Sequence, residues 1–219
     1  MRLPFTVEEF FGVFGEYNEA LWPAQVLLLG LALVAVALAL KPRRWSGVVI
    51  SAILAFLWAW LAVAYHLSFF TRINPLAYVF SGVSLAGALG FLWQGVVRRR
   101  LQFAWIDGGR AFVGAVLIVF ALALYPIWSW YAGHPYPRMP TFGLPCRTTI
   151  FTLGLLAFLV PPYPRSPFIV PILWCIVGAQ AAFLLGVHQD FGLIVAAVAG
   201  VMLLVRSKGP TATASAGII

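Results

Sequence analysis

The chain has 219 residues, of which 63% are hydrophobic and 9% charged, with a formal net charge of +8. A soluble domain carries about 25% charged residues, so this chain has too little polar side chain to cover a core in water, which excludes an ordinary soluble protein. The basic residues are spread over short connections between apolar runs, which excludes a nucleic-acid-binding face.

The N-terminal residues 1–20 carry Glu8, Glu9, Glu16 and Glu19 against Arg2 alone. This is the opposite of the basic start of a cleaved signal peptide. Thr6 followed three residues later by Glu9 is a capping-box pattern. Phe10, Phe14 and Leu21 fall at helical spacing on one face, and Glu9 and Glu16 on another. The pattern predicts an amphipathic helix on the outer surface, either an interfacial anchor or a lid over the membrane domain.

Seven apolar segments come next, at 21–40, 46–67, 76–97, 110–131, 140–162, 167–186 and 189–205. Most approach or exceed the roughly 18–20 residues that span a bilayer as a helix. Irregular backbone cannot face lipid, so the expected fold is all-α, a polytopic seven-transmembrane-helix bundle over residues 21–206. The fifth segment is the exception in kind. Its uninterrupted apolar part, 150–160, is short, and it crosses only if "PTFGLPCRTT" enters the membrane with it. Residues 207–219, "SKGPTATASAGII", read as a disordered cytoplasmic tail.

Charge orients the bundle. Lys41, Arg43, Arg44, Arg98, Arg99, Arg100, Arg110, Arg165, Arg206 and Lys208 share one side under seven crossings, against Arg2, Arg72, Arg138 and Arg147 on the other. Basic residues stay cytoplasmic, which places the N-terminus outside and the C-terminus in the cytoplasm. Gly192, Ala196 and Gly200 recur every four residues on the last helix, and Ala86 and Gly90 on the third. This spacing serves close packing in the lipid bilayer, within the bundle or, in an oligomer, between copies.

Under this topology the polar residues gather at the outer end. Pro145 near the start of the fifth segment frees a backbone carbonyl, and Arg147 lies about two turns inside Pro140. An arginine at that depth requires a partner, and Glu16 or Glu19 is the expected one. With Asn18, Thr148 and Thr149 these residues outline an outward-facing polar pocket for a small ligand. His66, His134, His188, Asp190 and Cys146 fall at the same end. Imidazole, thiolate and carboxylate suit a divalent metal such as zinc. A zinc-bound water beside Glu16 or Glu19 would make a metal-dependent membrane hydrolase, while a broken fifth helix suits a small-solute transporter. Asp107 reads as the N-cap of the fourth helix. Cys146 and Cys175 lie at different depths and are expected to stay unbridged.

Two stretches, "LPFTVEEFFGVFGEYNEALWPAQ" and "GHPYPRMPTFGLPCRTTIFTLGLL", resemble a family of small bacterial integral-membrane proteins of unknown function. The resemblance covers nearly the whole chain and implies a bacterial inner membrane. It implies no activity, and no catalytic residue can be assigned through it.

Overall fold

A computed structural model describes residues 4–207. Apart from Ser207, the expected disordered tail lies outside the described residues, as does Arg2. The described chain is helical, with only isolated bridges of extended backbone.

Helix α1, Val7–Ala20, starts at the capping box expected from sequence. The Thr6 N–H donates to Glu9 Oε2 at 2.7 Å, and the Glu9 N–H donates to Thr6 Oγ1 at 3.2 Å. Its underside is aromatic: Phe10, Phe11, Phe14 and Tyr17 are buried against Tyr65, Phe69 and Phe70. Pro23 has no N–H with which to continue the helix. Helix α2, Ala24–Leu40, therefore leaves at 87° to α1. α1 lies across one end of the other helices.

The remaining helices are α3 (Ser46–Trp60), α4 (Ala77–Phe91), α5 (Gly109–Val119), α6 (Tyr125–Tyr131), α7 (Pro145–Leu156), α8 (Ser166–Gly178), α9 (Gln180–Leu184) and α10 (Phe191–Val205). π-Helical stretches at Leu61–Leu67, Leu92–Val97 and Phe120–Leu124 extend α3, extend α4 and join α5 to α6. Five helical stretches are long and apolar enough to cross a membrane: Ser46–Arg72, Ala77–Val97, Gly109–Tyr131, Ser166–Leu184 and His188–Val205. The bent pair α1–α2 is a sixth candidate.

The long helix expected over 140–162 does not form. α7 has 12 residues, with extended chain at Leu144 before it and a turn at 157–158 after it. Gly143, at φ 100°, and the prolines at 140 and 145 delay its start. The Thr141 carbonyl, expected to be orphaned by Pro145, instead accepts from the Leu144 N–H at 3.2 Å. At the other end the Val160 N–H donates to the Gln102 carbonyl and the Ala104 N–H to the Phe158 carbonyl. Such irregular backbone is tolerated where protein rather than lipid surrounds it. Here it does: eleven of the twelve α7 residues are buried, enclosed by α3, α5, α8 and α10.

Small residues make that enclosure tight. A Cβ on Gly114 of α5 would come within 2.7 Å of the Gly154 carbonyl of α7. On α10, Gly200 abuts Leu153 and Ile172 and Gly192 abuts the Phe120 ring, so this stripe packs within the molecule. On α4 the close approach is made by Gly87, against Val170 and Trp58, and not by Ala86 and Gly90. Asp107 does not cap α5. Gly108 holds the N-cap position, and Asp107 Oδ1 accepts from the Trp105 indole at 2.6 Å. The outward faces carry large apolar side chains such as Leu27, Leu89, Phe112 and Val195, each more than half exposed.

Candidate functional site: a cavity beneath α1

Among the described residues, Arg147 and Asp190 are the buried side chains of the Asp, Glu, Lys and Arg types. Arg147 turns inward, but not to the acids expected to pair with it. Its Nε donates to the Ala121 carbonyl at 2.8 Å, and its two terminal nitrogens donate to the carbonyls of Leu122 and Pro140 at 3.2 Å each. The guanidinium also stands over the rings of Tyr125 and Phe142. The reason lies one turn away. In the π-helical stretch the Tyr125 N–H reaches back to Phe120. The next donor in line, at position 126, would serve Ala121 or Leu122, but Pro126 has no N–H. Arg147 takes up the carbonyls of Ala121 and Leu122 at this break, one of which Pro126 orphans, so its charge is spent on backbone.

The expected acid partners stay at the surface. Glu16 pairs with Arg72 at 2.7 Å, with both side chains more than half exposed. Glu8 pairs with Arg138, and Glu19 is exposed. Asn18, by contrast, is fully buried and acts as a latch. Its Nδ2 donates to the carbonyls of Pro137 and Met139 at 2.5 and 2.8 Å, and its Oδ1 accepts from Thr141 Oγ1 at 2.5 Å. This ties α1 to the connection between α6 and α7. Thr148 and Thr149 are buried in α7, and neither hydroxyl has a partner among the described residues.

Between α1 and the ends of α3, α4, α8, α9 and α10 lies a cavity of about 340 Å³. Its walls are apolar, including Phe10, Phe14, Phe70, Phe80, Leu144 and Leu185, and none of Glu16, Asn18, Glu19, Arg147, Thr148 and Thr149, the residues expected to outline a polar pocket, lines it. Three of its polar groups, Tyr125, Cys146 and Asp190, meet from separate segments. Tyr125 OH donates to Asp190 Oδ1 at 2.5 Å, and Cys146 Sγ donates to Asp190 Oδ2 at 3.3 Å. Next to Asp190, the Gln189 amide donates to Ser129 Oγ at 3.1 Å. His66 and Trp174 line the same cavity, with ring centroids 5.0 Å apart. Leu76 and Leu184, respectively 57% and 51% exposed, also line it, so it opens sideways between the start of α4 and α9.

The five residues expected to hold a metal divide. Asp190 and Cys146 meet, and His66 lines the cavity beside them. His134 stacks flat on Phe11 at 3.8 Å, where burial holds its imidazole pKa below the ordinary value. His188 is exposed and lies against Phe191. Among the described residues no three His, Cys, Asp or Glu side chains form a group that could hold a metal ion. The set disperses because the connections that carry His134 and His188 are drawn to different apolar surfaces. Cys146 and Cys175 are both free.

Nothing in the sequence singles out Tyr125, Trp174 or the aromatic walls. Aromatic residues are common throughout such a chain, and their spacing does not mark these. Pro126 is the one legible signal, since a proline within a membrane helix leaves carbonyls that something must satisfy.

No curated protein and no solved structure matches this chain. A family model of unknown function, DUF6064, matches residues 7–214. That match takes in α1 and every helix around the cavity, and the chain belongs to this family.

Proposed function

We propose that the protein is a multi-pass membrane protein of a bacterial inner membrane that binds a small lipophilic ligand beneath α1. The observation that carries this reading is the cavity itself. A space of about 340 Å³ with apolar walls and a few convergent buried polar groups has the size and character of a small-molecule site. Its sideways mouth at Leu76 and Leu184 would face acyl chains, so the ligand reaches it from within the membrane. α1 serves as the lid, held by the Asn18 latch on one side and by its aromatic underside on the other.

In this reading the chain crosses seven times, with α1 outside and the C-terminus in the cytoplasm. The crossing at 140–162 is a broken one with α7 at its centre. Support for it comes from the hydrogen bonds at its two ends. The carbonyls of Pro137 and Met139 hold Asn18 at the α1 end. Tyr163 OH donates to the Leu203 carbonyl, and Arg165 Nε donates to Ser207 Oγ, beside the end of α10. The excess of Lys and Arg in the connections at that second end supports its placement in the cytoplasm.

The test is photolabelling in nanodiscs with a dodecanol that carries a mid-chain diazirine. Cross-links are expected on Phe80, Trp174 or Leu185, and they should disappear in Ala181→Phe, which fills the cavity. Labelling confined to outward residues such as Leu89 and Phe112, unchanged by Ala181→Phe, would refute the reading.

A further inference from the structure

His66 is 1% exposed, and neither of its ring nitrogens has a hydrogen-bond partner among the described residues. The indole N–H of Trp174, close beside it, is also buried without an acceptor. Both side chains line the cavity beneath α1. Leaving such groups buried and unpaired is costly. Two of them adjacent at one cavity, in a chain whose other buried tryptophan, Trp58, donates to Thr152 Oγ1 at 3.1 Å, form a polar spot kept for a third party.

What the spot offers defines the chemistry of that third party. A neutral imidazole has one donor and one acceptor, and an indole has one donor. A hydroxyl can accept from Trp174 while donating to His66, and a carbonyl can accept from both. A charged head fares worse. Among the described residues no Lys or Arg lines the cavity, so an anionic head finds no counter-charge, and Asp190 stands on the same surface. A cationic head finds Asp190, but Tyr125 and Cys146 already donate to both its oxygens. Gly178 lines the cavity between the spot and Cys146, where a Cβ would lie 3.4 Å from Trp174 Nε1 and 3.7 Å from Cys146 Sγ.

We propose that His66 and Trp174 form a head-group clamp for an uncharged lipophile ending in a hydroxyl or carbonyl, whose apolar body lies along Phe10, Phe14, Phe70 and Phe80. This rests on the reading of the cavity as a ligand site. The selectivity is supplied by two buried donors and one acceptor that no group among the described residues satisfies.

The experiment is competition against the diazirine-bearing dodecanol in nanodiscs, at equal membrane mole fractions of dodecanol, dodecane, dodecanoate and dodecyltrimethylammonium. Dodecanol should compete about tenfold better than dodecane, the worth of one hydrogen bond to an otherwise unpaired group. It should also outcompete both charged compounds. His66→Phe should erase the preference over dodecane while cavity labelling persists. Trp174→Phe, which removes only the indole donor with modest change of shape, should reduce it independently. Equal competition by dodecane in the wild type, or a preference unchanged in both variants, would overturn the clamp and leave the cavity as a ligand site. Preference for the quaternary ammonium would overturn it in favour of a cation held by the aromatic walls. Absence of any cavity labelling would overturn both readings.

Discussion

Replacing Arg147 with methionine tests the account of how the core of this protein is held. Methionine keeps most of the side-chain length and removes all three donors. The carbonyls of Ala121, Leu122 and Pro140 would then be buried without their present partners. Three orphaned carbonyls at about 1–3 kcal/mol each outweigh the roughly 2.5–3.5 kcal/mol cost of burying a guanidinium, which leaves a net loss of about 3 kcal/mol. For a chain of this length that is a fall in Tm of about 6–12 °C. Arg147→Lys should recover little of it, because a single ammonium cannot reach carbonyls on both α5–α6 and the 140–144 connection. The sharper test adds Pro126→Ala, which restores a backbone N–H for one of the two carbonyls left open on that helix. In the Arg147→Met background it should return about 1 kcal/mol, and in the wild type, where Arg147 already serves those carbonyls, it should return little. The assay is thermal unfolding of purified protein in detergent, run as a double-mutant cycle. An unchanged Tm for Arg147→Met, or strict additivity of the two substitutions, would refute the reasoning.

Asn18→Ala removes three hydrogen bonds between α1 and the 137–141 stretch, and it should cost about 2–4 kcal/mol. Glu16→Gln, which breaks an exposed pair with Arg72, should cost less than about 1 kcal/mol in the same unfolding assay. His134 has a folded-state pKa below its ordinary value, so its contribution to stability is present above about pH 6.5 and lost as pH falls through the folded value. The Tm of the wild type should therefore fall relative to His134→Phe between about pH 8 and about pH 5, and parallel profiles would count against the stacked, neutral ring on Phe11. Reporter fusions at Ser207 should report cytoplasm, and fusions at Met139 the opposite compartment. A cytoplasmic signal at Met139 would reverse the orientation.

Much of the fold is legible in the sequence because it rests on local rules. The capping box of α1, its aromatic face, the turn at Pro23 and the long apolar helices come from spacing, from proline's missing N–H and from segment length, all carried by neighbouring residues. The inward turn of Arg147 is legible for the same kind of reason, since depth in an apolar segment demands a partner. Its partner is not legible. Glu16 and Glu19 offer charge, but α1 lies flat with those acids facing away from its aromatic underside, and the nearer acceptors are carbonyls left open beside Pro126 on a different helix. Sequence can count histidines, a cysteine and an acid at one end. Only the tertiary structure decided that Asp190 and Cys146 meet, that His134 and His188 go elsewhere, and that His66 joins Trp174 at an apolar cavity. Hydrogen-bond satisfaction and aromatic packing between distant segments made those choices, and neither leaves a periodic trace along the chain. The shortness of α7 has the same origin. Backbone that breaks its helix is permitted only where other helices enclose it, and enclosure is a property of the assembled fold.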